Sequence, residues 1–139
     1  MSKGVIYHLS FIISMKHLIL LVLLTLSTTL CHAQSPLNQR ILFEPDSVTI
    51  RESQFAQLQL IAEYATHHPS STIIVAGFVS SLTPKAHQGD IAQQRADAVR
   101  TTLITQYHLP SDNVISIGVG ESTRYEQPEF NEFVSFFVK

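Results

Sequence analysis

The nine residues STIIVAGFV at positions 71–79 constrain this chain most. They are apolar and rich in β-branched side chains, the composition of a strand covered inside a sheet. An amphipathic helical pattern lies on each side. In residues 51–67, Phe55, Leu58, Ile61, Ala62 and Ala65 form one stripe. That pattern ends at His67-His68-Pro69, because Pro69 biases His68 away from helix. After a polar loop at 80–89, Ile91, Ala92, Ala96, Val99 and Leu103 share one arc of a helix that ends near Tyr107. Residues 40–43 read as a first strand, with a turn at Glu44-Pro45-Asp46-Ser47. NVISIGVG at 113–120 alternates as a third strand. FVSFFV at 133–138 closes the chain, with Phe136 and Phe137 assigned to the core, one on each face. The order is β-α-β-α-β-β. Its two crossovers favour parallel, right-handed pairing, and the short last connection allows an antiparallel partner. The expected class is α/β, a mixed sheet with its helices packed on one face.

The front of the chain reads as a leader. From Met15 the sequence is MKHLILLVLLTLSTTLCHAQ, a short basic start, an apolar run and small residues before Gln34. That is the layout of a secretory signal peptide, residues 1–33, with Met15 the favoured start. A second apolar patch, VIYHLSFII at 5–13, lengthens the leader if translation begins at Met1 and then favours an uncleaved inner-membrane anchor. The apolar run itself is shorter than the roughly 20 residues a span needs. Leu30 before Cys31 is too large for a lipidation signal. Cleavage after Ala33 leaves a domain of residues 34–139 without cysteine, held by its core alone. That domain has seven Lys/Arg against eleven Asp/Glu and no basic run, so nucleic acid is not an expected partner.

One residue breaks the second helical pattern. Arg95 falls inside the apolar arc, and Gln88 does too if the helix begins that early. A charge there must find a partner or reach water. Snorkelling to solvent and gripping a carboxylate both fit helix geometry. Catalytic readings are weaker. Ser80, Ser81, His87 and Asp90 include the side-chain types of a hydrolase triad but lie on a loop without a nucleophile elbow. His67 and His68 are adjacent and point apart on a helix, and no second pair has metal-ligand spacing. No catalytic residue, metal or cofactor is expected.

From Ile41 to Val138 the chain resembles the OmpA-like C-terminal domain, a periplasmic module that holds peptidoglycan. The resemblance rests on Phe43-Glu44-Pro45-Asp46-Ser47, Ile74-Val75-Ala76-Gly77-Phe78, Ile91-Ala92-Gln93-Gln94-Arg95-Ala96-Asp97-Ala98-Val99, Ile117-Gly118-Val119-Gly120-Glu121-Ser122, and Asn131 before the last strand. It implies a non-catalytic domain whose helix arginine, Arg95, pairs with a stem-peptide carboxylate, that of diaminopimelate. It also implies an acid at the end of the second strand to hold the ligand ammonium. Here that position is Ser80, the Asn that opens the helix motif is Gln88, and the family's Asn-Arg-Arg is Asn131-Glu132-Phe133. The binding residues implied are therefore Arg95, Asp46, Ser80 and Gln88, a partly degenerate pocket. Exchanging Asp for Ser at the ammonium end weakens such a ligand roughly 10- to 100-fold.

Three partners for Arg95 stay open: a stem-peptide carboxylate, a carboxylate on another protein, or Asp46 within the fold. The leading expectation is a periplasmic, outer-membrane-associated domain that binds peptidoglycan. The alternative is a protein-interaction module of an envelope or secretion assembly that has lost that binding.

Overall fold

The computed structural model describes residues 2–28 and 36–139. Two compact units divide the chain, Met1–Gln34 and Ser35–Lys139. The first contains one helix, α1 (Ser2–Thr28). The expected cut after Ala33 lies outside the described residues. No helix among the described residues is long and apolar enough to cross a membrane.

The second unit holds β1 (Arg40–Leu42), α2 (Phe55–His67), β2 (Ile73–Val79), α3 (Lys85–Thr105), β3 (Val114–Glu121) and β4 (Phe133–Val138). The sheet order is β1-β4-β2-β3. The crossover through α3 makes β2 and β3 parallel, while β4 is antiparallel to both β1 and β2. The last strand thus inserts between the first two, which the local pattern of turns did not specify.

Helix α3 begins at Lys85, four residues before the expected Gly89. Pro84 lacks an N–H and has a fixed φ, so it sits at the helix entrance without losing a bond. Helices α2 and α3 cover one face of the sheet. Leu58 and Ile61 from α2 and Val99 and Leu103 from α3 bury against Ile41, Ile73, Val75, Val114 and Val134. On the other face the aromatic cluster of Phe78, Tyr125 and Phe133 covers only one end of the sheet. Ile115, Ile117 and Val119 therefore remain about half exposed, and Phe137, expected in the core, is 51% exposed. Phe136 points to the helices and is buried. Both phenylalanines obey strand alternation. Phe133, on the same face as Phe137, is buried at 1% exposure beside Phe78 and Tyr125, and that cover does not reach Phe137.

Two glycines set how closely α3 approaches. Gly77 of β2 and Gly118 of β3 are register partners. A Cβ on Gly77 would lie 1.9 Å from the Ala92 carbonyl oxygen, and one on Gly118 would lie 2.6 Å from the Gln93 backbone nitrogen. The helix backbone rests on this side-chain-free saddle. Gln93 fixes the seat, its Oε1 accepting the Gly118 N–H at 2.7 Å. Just beyond, the register slips so that Phe78 faces Gly120 and Val119 is the extra residue of a bulge.

Gly77→Ala should lower stability by about 3 kcal/mol, because the new methyl meets backbone rather than a movable side chain. Gly89→Ala, with open space around it inside α3, should raise stability by about 0.5–1 kcal/mol. Thermal melts followed by circular dichroism test the two opposite signs, with roughly 10–20 °C lost by the first variant.

Candidate functional site

Arg95 is carried inward by the position that made it anomalous in the sequence. It lies one helical turn from Ala92 and Val99 on the face of α3 that meets the sheet, and its exposure is 0%. It does not snorkel. The guanidinium reaches the end of the sheet where β1 leaves, β2 ends and β4 begins. There its N–H groups are taken by the protein itself. Nε donates to the Ser47 carbonyl at 2.8 Å, and Nη2 donates to the Glu44 carbonyl at 3.0 Å. Nη1 donates to the Phe78 carbonyl at 3.0 Å and to Oε2 of Glu132. The Phe43 ring lies beside the guanidinium, 5.2 Å from Cζ to centroid. Four bonds on three chain segments use four of the five donors an arginine has.

The counter-charge is Glu132, whose exposure is also 0%. Its other oxygen, Oε1, accepts from the Ser80 backbone N–H at 3.1 Å and from the Ser80 hydroxyl. Both carboxylate oxygens are thereby occupied. Ser80 Oγ also accepts the Leu82 N–H at 3.1 Å, so this serine closes the loop after β2 as well as anchoring the acid. Among the described residues no buried side-chain nitrogen or oxygen lacks a partner.

Glu132 is aimed from a braced position. Its own carbonyl accepts the Phe43 N–H at 2.8 Å, one step beyond the β1–β4 ladder. The preceding residue, Asn131, is buried and pins the connection before it. Its Oδ1 accepts from the Tyr125 N–H at 3.0 Å and the Ser122 hydroxyl at 3.1 Å, and its Nδ2 donates to the Tyr125 carbonyl at 2.8 Å. This explains an asparagine at the entrance to the last strand.

The sequence-derived residues divide into two groups. Arg95 and Ser80 come together, joined through Glu132. Asp46 does not pair with Arg95, contrary to the internal pairing considered from the sequence. It is an exposed turn residue with a left-handed φ of 57°. That conformation reverses the chain so that the carbonyls of Glu44 and Ser47, rather than the Asp46 carboxylate, face the guanidinium. Gln88 is half-buried on α3 and bridges elsewhere, donating to the Thr83 carbonyl at 3.0 Å and to Glu121 at 3.4 Å. Sequence reasoning missed Glu132 as a site residue. Its signal was present in Asn131-Glu132-Phe133, where an acid stands in place of a base while Ser80 stands in place of an acid. The two departures compensate in space, which residues 52 positions apart conceal in sequence.

A family model described as the OmpA family matches residues 42–132. Outer membrane porin F of Pseudomonas aeruginosa is 29% identical over 80 residues, which are 58% of this chain and 23% of that protein. The chain thus spans about a quarter of the length of the curated relatives it matches. The crystal structure of the peptidoglycan-associated lipoprotein from Burkholderia pseudomallei superposes with a TM-score of 0.68 at 21% identity, covering 79% of this chain and 98% of that one. The C-terminal domain of Helicobacter pylori MotB superposes with a TM-score of 0.61 at 23% identity, covering 73% and 84%. These likenesses establish the same fold.

Removing either charge should be costly. Glu132→Ala leaves a buried guanidinium without its counter-charge and should destabilise by about 3–5 kcal/mol. Arg95→Lys keeps the charge but should still cost about 2–4 kcal/mol, because one ammonium cannot span acceptors on three segments. Urea unfolding at neutral pH measures both, and a neutral Arg95→Lys would refute the account of the carbonyl bonds.

Proposed function

Since the chain belongs to the OmpA family, we propose that it is a non-catalytic, periplasmic cell-envelope domain of the peptidoglycan-binding type whose stem-peptide pocket is closed by its own Glu132. The exported domain is residues 34–139, and residues 1–33 are its signal peptide. The observation that carries this reading is the Arg95–Glu132 pair, buried at 0% exposure on both sides. By the family resemblance, the helix arginine is the group that receives a ligand carboxylate. Here a carboxylate of the same chain sits on it. The Burkholderia protein is a peptidoglycan-associated lipoprotein, and its likeness supports the family-level part of the reading.

The consequence is quantitative. A carboxylate held in the same chain competes at an effective concentration of millimolar or above. A diaminopimelate carboxylate reaches Arg95 only in the fraction of molecules in which Glu132 has let go, and its apparent affinity falls by that fraction. Ser80 does not supply the negative charge that the ligand ammonium needs, and its hydroxyl already serves Glu132. Asp46 and Gln88 frame the approach from the turn after β1 and from the start of α3. The wild-type domain is therefore a weak binder at this pocket.

A second reading is favoured by the same burial. If the pair never opens, the OmpA-like frame serves as an interaction module for envelope or secretion-assembly proteins, with Arg95 wholly structural.

Pull-down on purified peptidoglycan sacculi separates the two. The closed-pocket reading expects weak retention of the wild-type chain and about tenfold stronger retention of Glu132→Gln. Adding Arg95→Gln to Glu132→Gln should remove the gain. Weaker retention of Glu132→Gln than of wild type would make Glu132 a ligand contact and overturn the closed pocket. No retention of any form would favour the interaction module.

A further inference from the structure

A second cationic site lies away from Arg95 and shares no residue with it. Strand β1 pairs only with Phe133–Ser135 of β4, although β4 continues to Val138. Before Arg40 the chain turns away as a short 3₁₀ segment, Pro36–Asn38. Beyond Ser135, β4 pairs with β2 alone, and its open edge borders a cavity of about 660 Å³. Arg40 and Arg124 line it from two segments, together with Tyr125, and Leu37 and Phe137 form apolar wall.

The two arginines converge on one ring. The Arg40 Cζ lies 4.6 Å from the Tyr125 centroid, and the Arg124 Cζ lies 5.9 Å from the same centroid. Arg40 donates to the Tyr125 hydroxyl, which holds the ring and the guanidinium together. Among the described residues neither arginine has an acidic partner, and the ion pairs formed are Arg51–Glu44 and Arg95–Glu132. Arg100 is used differently, donating to the Val114 and Ser111 carbonyls. The unit thus has more acids than bases, yet brings two unneutralised guanidiniums to one cavity. Like charges repel there, and an anion between them relieves that repulsion.

We infer that this cavity binds an oxyanion borne on an apolar or aromatic group. The two guanidinium forks take the oxyanion, and Tyr125, Leu37 and Phe137 take its apolar part. A guanidinium offers paired N–H groups that match carboxylate and phosphate alike. The ring already holds both cations by cation–π contact, so less side-chain freedom is lost on binding. The half-exposed Phe137 gives the ligand apolar surface to cover. A simple inorganic anion lacks the part that would use that wall.

The test uses the full chain and three probes: N-acetylphenylalanine, its neutral amide, and phenyl phosphate, with binding read from NMR shifts of the Tyr125 ring. At least one of the two anions should bind saturably, and the neutral amide should bind at least tenfold more weakly. Preference between carboxylate and phosphate identifies the natural headgroup. Arg40→Gln and Arg124→Gln should each weaken the anion about 10-fold or more, with unchanged circular dichroism spectra. Lys85→Gln, a charge loss at an exposed position of α3, should leave binding unchanged. Equal binding of the amide, no saturable shift with either anion, or the same loss in Lys85→Gln would overturn the proposal. Because Arg95 and Glu132 take no part, a failure here leaves the closed-pocket reading standing, and the reverse also holds.

Discussion

The ionic contact between Arg95 and Glu132 joins more of this domain than any other single interaction. The guanidinium sits on α3, the carboxylate immediately before β4, and the accompanying carbonyls come from the turn after β1 and from the end of β2. Each segment would otherwise present polar groups to a buried space. A buried ion pair is not by itself stabilising, because desolvating both charges offsets their attraction. Here every oxygen of the acid is bonded and four donors of the base are used, the condition under which such a pair is tolerated. It fixes where four segments meet: α3, the turn after β1, the end of β2 and the start of β4.

The same contact changes what the family frame can do. By its chemistry an arginine with a planar fork in a dry setting can receive a carboxylate. When Ser80 replaces the expected acid, the arginine loses a neighbouring negative charge. Glu132 returns one, from across the sheet, and Ser80 becomes its hydrogen-bond donor. Charge balance is restored at the cost of access. On the proposed reading, the place of a ligand carboxylate is taken from within the chain.

The sheet explains where the remaining binding surface lies. Both helices pack on one face, and the glycine pair Gly77–Gly118 lets α3 come close enough to seal it. The opposite face is covered only around Phe133, where Phe78 and Tyr125 pack, so Ile115, Ile117, Val119 and Phe137 stay in contact with solvent. The short β1 leaves the far part of β4 open at its edge. The cationic cavity of Arg40 and Arg124 forms at that edge.

Much of this was legible in the sequence. The helical stripes, the β-branched run at 71–79 and the paired motifs around Arg95 fix the element types and the family frame, because periodicity and turn chemistry are local properties. They also mark Arg95 as a charge that needs a partner. The identity of that partner was not legible. Asp46 was nearer in motif and wrong in geometry, since a left-handed turn sends its side chain outward and its neighbours' carbonyls inward. Glu132 became the partner only because β4 inserts between β1 and β2, bringing residue 132 beside residues 80 and 95. The face on which the helices pack likewise decided that Phe136 is core and Phe137 is surface, although the two are equivalent in hydrophobicity. Local sequence sets what each segment is. Which segments meet, and hence which charges cancel, is set by long-range pairing, which no local pattern encodes.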